Sequence, residues 1–315
     1  MERVNLISRK ITGLACKIVI CLLLSFGFEI SAWAQESLIK TEYNYRRYTS
    51  ADGLPELITT SVFQDSKGFI WITTILGEFA RFDGQEFKIF DSKKCGIIDF
   101  SELDNSIMAI GVASSLKIDE DETVTQVEMV NSSSDRFCWE NCRTLPNGYR
   151  IYQIDNKKAL YEITDTGLIK TWEHELLNQM GDGNNLYWDK PNNRFFIPTE
   201  EQGVYIVNED GTVEKNIPVN HITDFISYKD ALWAVCSDGL YKYKDDKFEM
   251  VLDYPFSDSE PIDIQILEDS EHNLIIRTSS SLYRYSSGKM EIITTNLLSS
   301  FEMVVDREGN INVLC

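Results

Sequence analysis

Histidine occurs only three times in this 315-residue sequence, at His174, His221 and His272. The three are far apart and none sits at a ligand-pair spacing, so no metal site is assigned. A G-x-S-x-G elbow, a P-loop, an H-E-x-x-H pair and a Rossmann glycine pattern are all missing. No catalytic residue and no cofactor is assigned either, and the expectation is a binding module that is not an enzyme. Positive charge is scarce as well. Thirty Lys and Arg face 50 Asp and Glu, a net charge of −20. That balance repels phosphate backbones and anionic lipid, which excludes nucleic acid and a membrane surface as partners. It also suits a soluble exported protein. No apolar run reaches the roughly 20 residues needed to span a bilayer; residues 18–28 form a run of eleven.

That short run explains the N-terminus. Arg3, Arg9, Lys10 and Lys17 precede it, and Ser31-Ala32-Trp33-Ala34 follows it. A basic n-region, a short apolar stretch and small residues at −3 and −1 describe a signal peptide over residues 1–34, cleaved between Ala34 and Gln35. Cys16 and Cys21 lie before and near the start of the apolar run, where lipidation does not occur. The leader has a net charge of +2, so residues 35–315 carry −22. Export to the periplasm follows. Five cysteines remain there: Cys95, Cys138, Cys142, Cys236 and Cys315. Cys138 and Cys142 are close enough in sequence to bridge if the chain turns tightly; ordinary thiols are the other reading.

What is present in quantity is a repeat. Within residues 57–90, Ser61-Val62-Phe63-Gln64 reads as a strand and Asp65-Ser66-Lys67-Gly68 as a turn, with Asp65 accepting backbone N–H groups and Gly68 allowing positive φ. Phe69-Ile70-Trp71-Ile72-Thr73 is a second strand, Gly77 sits in the next turn, and Phe79-Ala80-Arg81-Phe82 is a third. Asp83-Gly84 is a hairpin signal before a fourth strand over 86–90. Four antiparallel strands in so short a span make one propeller blade. The start of the third strand recurs at Phe79, Leu116, Leu160, Val204, Leu240 and Leu282, at gaps of 37, 44, 44, 36 and 42 residues. The unit around Leu116 rests mostly on spacing. A seventh unit begins at 301–305, with Asp306-Arg307-Glu308-Gly309 repeating the turn and 310–314 the second strand. The fold class is therefore all-β: a propeller of about seven four-stranded blades over residues 35–315, six whole and the last incomplete. Residues 43–48 could add one strand to that last blade, and the two-strand ending reads as a fragment of a longer frame.

The segments Tyr48-Thr49-Ser50-Ala51-Asp52-Gly53-Leu54-Pro55 and Val62-Phe63-Gln64-Asp65-Ser66-Lys67-Gly68-Phe69-Ile70-Trp71-Ile72-Thr73-Thr74, with Gly77 and Arg81-Phe82-Asp83-Gly84, resemble the two-component regulator propeller repeat. The match is specific over 48–90 and skeletal beyond residue 100. The resemblance implies the periplasmic sensor region of Bacteroidetes-type hybrid two-component systems, whose members continue into further domains and a kinase that this chain lacks. It implies an oligosaccharide, or another small periplasmic ligand, as partner. A secreted protein-interaction scaffold and a non-functional sensor remnant are the alternatives, and self-association through propeller faces is open to any of them.

Asp65-x-x-Gly68-x-x-Trp71 is also similar to the Asp-box of sialidase propellers, which is a structural turn there. Arg81 and Arg284 hold equivalent repeat positions, so they make no arginine triad. Asp119-Glu120-Asp121-Glu122 lacks the glycine and distal glutamate of an EF-hand and reads as a solvated turn. Trp71 and Trp233 share a second-strand position and are expected to pack between blades. So do Asp306 and Gly309 repeat the structural roles of Asp65 and Gly68. Trp139, Trp172 and Trp188 fall outside that position, where they pack or stack on a sugar.

Overall fold

The structure is a computed structural model. It describes residues 46–314 apart from 56–57, 112–113, 128–136, 145–149, 155–156, 165–166, 182–183, 220, 257–263, 296 and 298–301; for 137–144, 150 and 152–154 only the backbone course is given. The leader, the Ala34–Gln35 cleavage site, residues 43–45 and Cys315 lie outside the described residues. So do the side chains of Cys138, Trp139 and Cys142. The description below concerns the compact unit Tyr48–Cys315.

Blade 1 comprises β1 (Thr59–Gln64), β2 (Ile70–Thr74), β3 (Phe79–Phe82) and β4 (Phe87–Phe90). Blade 2 comprises β5 (Ile97–Leu103), β6 (Ser106–Gly111), β7 (Ser115–Ile118) and β8 (Val124–Val127). Blade 3 comprises β9 (Phe137–Thr144), β10 (Arg150–Ile154), β11 (Lys157–Thr164) and β12 (Gly167–Trp172). Blade 4 comprises β13 (Tyr187–Asp189), β14 (Arg194–Thr199), β15 (Gly203–Asn208) and β16 (Val213–Ile217). Blade 5 comprises β17 (Asp224–Tyr228), β18 (Ala231–Cys236), β19 (Gly239–Lys244) and β20 (Lys247–Asp253). Blade 6 comprises β21 (Gln265–Glu268), β22 (Leu274–Arg277), β23 (Leu282–Ser286) and β24 (Lys289–Thr294). Blade 7 is the pair β25 (Glu302–Val305) and β26 (Ile311–Leu314). Each four-stranded blade pairs its strands in sequence order, and every pairing is antiparallel.

The recurring third-strand residue explains why the repeat spacing works. Phe79, Leu116, Val204 and Leu240 are fully buried, and Leu160 and Leu282 nearly so. The side chain there enters the packing between neighbouring sheets, so the position tolerates only apolar residues. Leu116, whose unit the sequence supports mostly by spacing, takes this place in β7 like the others. The first strands of neighbouring blades touch: β1 with β5, β5 with β9, β17 with β21, and β21 with β25. β1 also meets β25 and β26, so blade 7 abuts blade 1 and the ring closes. Leu54, Val62, Ile70 and Ile72 bury against Leu314 there.

One expectation needs correction at its described residues, 46–48 of the strand considered over 43–48. Tyr48 does not extend a strand. Its ring packs edge-on against Phe82 at 4.8 Å and Phe87 at 5.6 Å. Thr49 then caps the 3-10 turn Ser50–Asp52, exchanging bonds with Asp52, and this capping box turns the chain away from extended geometry. The strand expected over 301–305 is present as Glu302–Val305, residue 301 lying outside the described residues.

Candidate functional site

Six of the nine repeat residues named from sequence stand in blade 1, whereas Trp233 stands in blade 5 and Asp306 and Gly309 in blade 7. Asp65 is buried. Its Oδ1 accepts from Lys67 N and Phe69 N, each at 2.9 Å, and its Oδ2 accepts from Trp71 Nε1 at 2.8 Å. One carboxylate thus closes the turn and fixes the indole. Trp71 is 2% exposed and meets Phe90 at 5.2 Å within its own blade and Phe100 at 5.8 Å from blade 2. Blade 7 repeats the turn: Asp306 accepts from Asn310 N at 2.7 Å, and Asn312 Nδ2 reaches its Oδ2 at 3.0 Å. Gly68 and Gly309 have φ of 91° and 83°, and His272 adopts 63° at the matching place in blade 6. At Gly77 the constraint is space: a Cβ would lie 2.5 Å from Gly96 Cα. Asp83 closes the Gly84 hairpin by accepting from Gln85 N and Glu86 N. Those backbone N–H groups hold its carboxyl below the usual carboxylate range. Trp233 is 7% exposed and lies in the packing between blades 5 and 6.

Arg81 and Arg284 stand apart on their own blades, paired with Glu122 at 3.0 Å and Glu271 at 2.9 Å. Of the four acids from Asp119 to Glu122, the first three line a depression of about 480 Å³ with Asp104, Asn105, Ser106 and Thr123. They do not converge. Asp119 pairs with Lys117 and Ser106, Glu120 with Lys67, Asp121 with Thr123, and Glu122 with Arg81 and Lys88. Among the described residues no three His, Cys, Asp or Glu side chains are grouped as a metal would require.

A second depression, of about 340 Å³, lies between blades 3 and 4. Lys170, Thr171, Trp172 and Glu173 form one wall, and the turn Glu209-Asp210-Gly211 forms the other. Trp172 Nε1 donates to Glu209 O at 2.9 Å. Its ring lies 4.3 Å from Phe195, which stacks in turn on Trp188 at 5.8 Å. His174 lies parallel to Trp172 at 5.7 Å, and its Nδ1 accepts from Leu176 N. The indole is therefore held in one orientation by both its edge and its neighbours. The Lys170–Glu173 pair at 2.6 Å lowers the Glu173 carboxyl and raises the Lys170 ammonium, and Thr212 lowers Asp210. The groove thus offers an aromatic wall, a hydroxyl, an ammonium and the carboxylates of Glu173, Glu209 and Asp210.

Sequence reasoning missed a cluster at the β18–β19 turn. Cys236 Sγ donates to Asp238 Oδ1 at 2.6 Å, and Tyr241 Oη donates to the same carboxylate at 3.0 Å. Burial, then the Asp238 bond, pushes the Cys236 thiol up to about 12, so it stays protonated and unreactive at neutral pH. The Cys-x-Asp spacing was visible, but nothing in it announces burial.

The sheet order and ring of blades define a β-propeller. No protein-family model and no curated protein matches the sequence. Solved structures share its fold. The extracellular domain of the hybrid two component system BT4673 from B. thetaiotaomicron aligns over 87% of this chain and 38% of that one, with a TM-score of 0.62 and 14% identity. The BT3049 counterpart from the same organism aligns over 85% and 40%, with a TM-score of 0.58 and 14% identity. The chain therefore spans well under half the length of these two domains. A streptogramin B lyase aligns over 83% of this chain and 91% of its own, with a TM-score of 0.55 and 12% identity. Extracellular domains of two-component systems and an enzyme thus share this scaffold, and at these identities the likeness concerns the fold. Among the described residues no helix is long and apolar enough to cross a membrane.

Proposed function

We infer that this chain is an exported ligand-sensing propeller of a two-component system and not an enzyme. The observation that carries the reading is the fold shared with two extracellular sensor domains over more than four fifths of this chain. The ligand is a saccharide or oligosaccharide in the periplasm. The groove between blades 3 and 4 supports that class, because an apolar ring face beside carboxylates and a hydroxyl suits a polyhydroxylated ring. Binding there shifts the populations of two conformations of the sensor instead of making or breaking bonds. Isothermal titration of the purified chain against a panel of neutral and acidic oligosaccharides tests this. Saturable binding that Trp172→Ala weakens at least about tenfold, with the protein still folded, is the expected result. A panel without a single binder removes the ligand class, and catalytic turnover of any member removes the sensor reading.

A further inference from the structure

The innermost strand of a blade has one edge without a partner strand, so its N–H groups need other acceptors. In three successive blades the acceptor is a side chain from the blade before. Asp224, at the start of β17, accepts Ile266 N of blade 6 at 2.9 Å through Oδ2. Its Oδ1 also takes Asn185 Nδ2 of blade 4 at 2.9 Å. Gln265, at the start of β21, accepts Met303 N of blade 7 at 2.8 Å and donates to Met303 O at 2.9 Å. Glu302, at the start of β25, accepts Val62 N of blade 1 at 2.9 Å.

The three connectors occupy one register position. Their cross-strand partners are Val235, Arg277 and Leu314. Each of these lies two residues beyond the position that Trp71 holds in blade 1. Ile266 and Met303 directly follow the next connector in sequence, and Val62 directly follows Ser61, which pairs with Thr73 at the same position in blade 1. A rule therefore runs from blade 5 through 6 and 7 to blade 1: the residue at this register position of one inner strand binds the backbone of the residue that follows the same position in the next.

The junction of blades 7 and 1 has a second attachment, at the other end of β1. Arg307 N donates to Gln64 Oε1 at 2.9 Å, and Gln64 Nε2 donates to Glu308 Oε2 at 3.2 Å. Arg307 Nη1 also donates to Ser66 O. Blade 7 is thus tied to blade 1 at both ends of the inner strand by polar side chains.

We propose that this register position is the blade-to-blade connector of the ring, and that Glu302 is the clasp that shuts it. Loss of the clasp opens the junction of blades 7 and 1 while the other blades stay folded. The inference is independent of the ligand and of the sensor reading.

Native-state amide exchange on the full chain tests it. Glu302→Gln keeps an oxygen acceptor at the same reach, and Glu302→Ala removes it. In Glu302→Ala, exchange at Val62 and in β25 and β26 rises roughly tenfold or more, while β14 and β15 of blade 4 are unchanged; Glu302→Gln keeps most of the protection. Unchanged Val62 protection in Glu302→Ala overturns the proposal, as does a rise spread evenly over all blades. Should Glu302→Ala fail to fold, Glu302→Asp, which draws the carboxylate back by one methylene, must show the same rise confined to the junction; wild-type protection in that variant also overturns it.

Discussion

Blades 1 and 5 place a tryptophan at the same point and support it by different means. Trp71 pairs across the sheet with Phe63, and Trp233 with Ile226. Two residues past Phe63 stands Asp65, whose carboxylate accepts the Trp71 indole N–H. Two residues past Ile226 stands Tyr228. Its ring lies T-shaped to Trp233 at 5.6 Å, and its hydroxyl donates to His272 O of blade 6 at 2.8 Å. Trp233 Nε1 has no hydrogen-bond partner among the described residues. The turns differ accordingly. Blade 1 closes with the Asp65–Gly68 turn, whereas blade 5 closes with the two residues Lys229 and Asp230, at φ of 48° and 57°. Paired positive φ suits the twist of a two-residue hairpin. A two-residue turn offers a buried carboxylate fewer backbone N–H groups than the Asp65–Gly68 turn does, and an aromatic ring is the better occupant. The comparison shows that the repeat conserves a space to be filled and a direction of packing, not a hydrogen bond.

The largest effect expected is at Trp71. Trp71→Ala removes a side chain wedged between blades 1 and 2 and should cost about 3–5 kcal/mol in denaturant unfolding. A loss below about 1 kcal/mol would mean that the packing collapses around the gap and that the residue does not brace the blades. Asp65→Ala comes next, at about 3 kcal/mol, because it strands the indole N–H and two turn amides at once. The comparison fails if this variant costs no more than Tyr228→Phe. That change deletes one hydroxyl donated to a backbone carbonyl and should cost about 1 kcal/mol.

The sequence carried the blade order and the strand positions because both rest on short-range signals. Phe79, Leu116, Leu160, Val204, Leu240 and Leu282 are apolar since each is buried, and Asp65-x-x-Gly68 is a turn since its bonds close within four residues. The site was much less legible. Trp172 meets Phe195, and its N–H meets Glu209, only because the ring brings blades 3 and 4 side by side. The same holds for Glu302 and Val62, 240 residues apart in the chain. A reading built on periods of strands and turns gives each blade its content, but the contacts between blades depend on a closed geometry that no local pattern encodes. Tyr228 shows the limit most clearly. It fills the place of Asp65, yet its turn differs in length, so the two residues do not align by motif.

The smallest effect is the most discriminating. Trp→Phe at either position keeps an aromatic ring and removes the indole N–H. At Trp71 the change loses buried ring area and also leaves Asp65 Oδ2 without its indole donor, for an expected cost of about 2–3 kcal/mol. At Trp233 the same loss of area is offset by removing a buried N–H that makes no bond, a defect that itself costs about 1–3 kcal/mol. Trp233→Phe should therefore lie within about 1 kcal/mol of wild type, on either side. Both variants can be compared by urea unfolding at matched slope, so that the difference reports stability and not a changed denatured state. Equal losses at the two positions would show that the Tyr228 ring serves the Trp233 N–H as well as the Asp65 carboxylate serves Trp71, and the distinction between the two blades would then be one of composition alone.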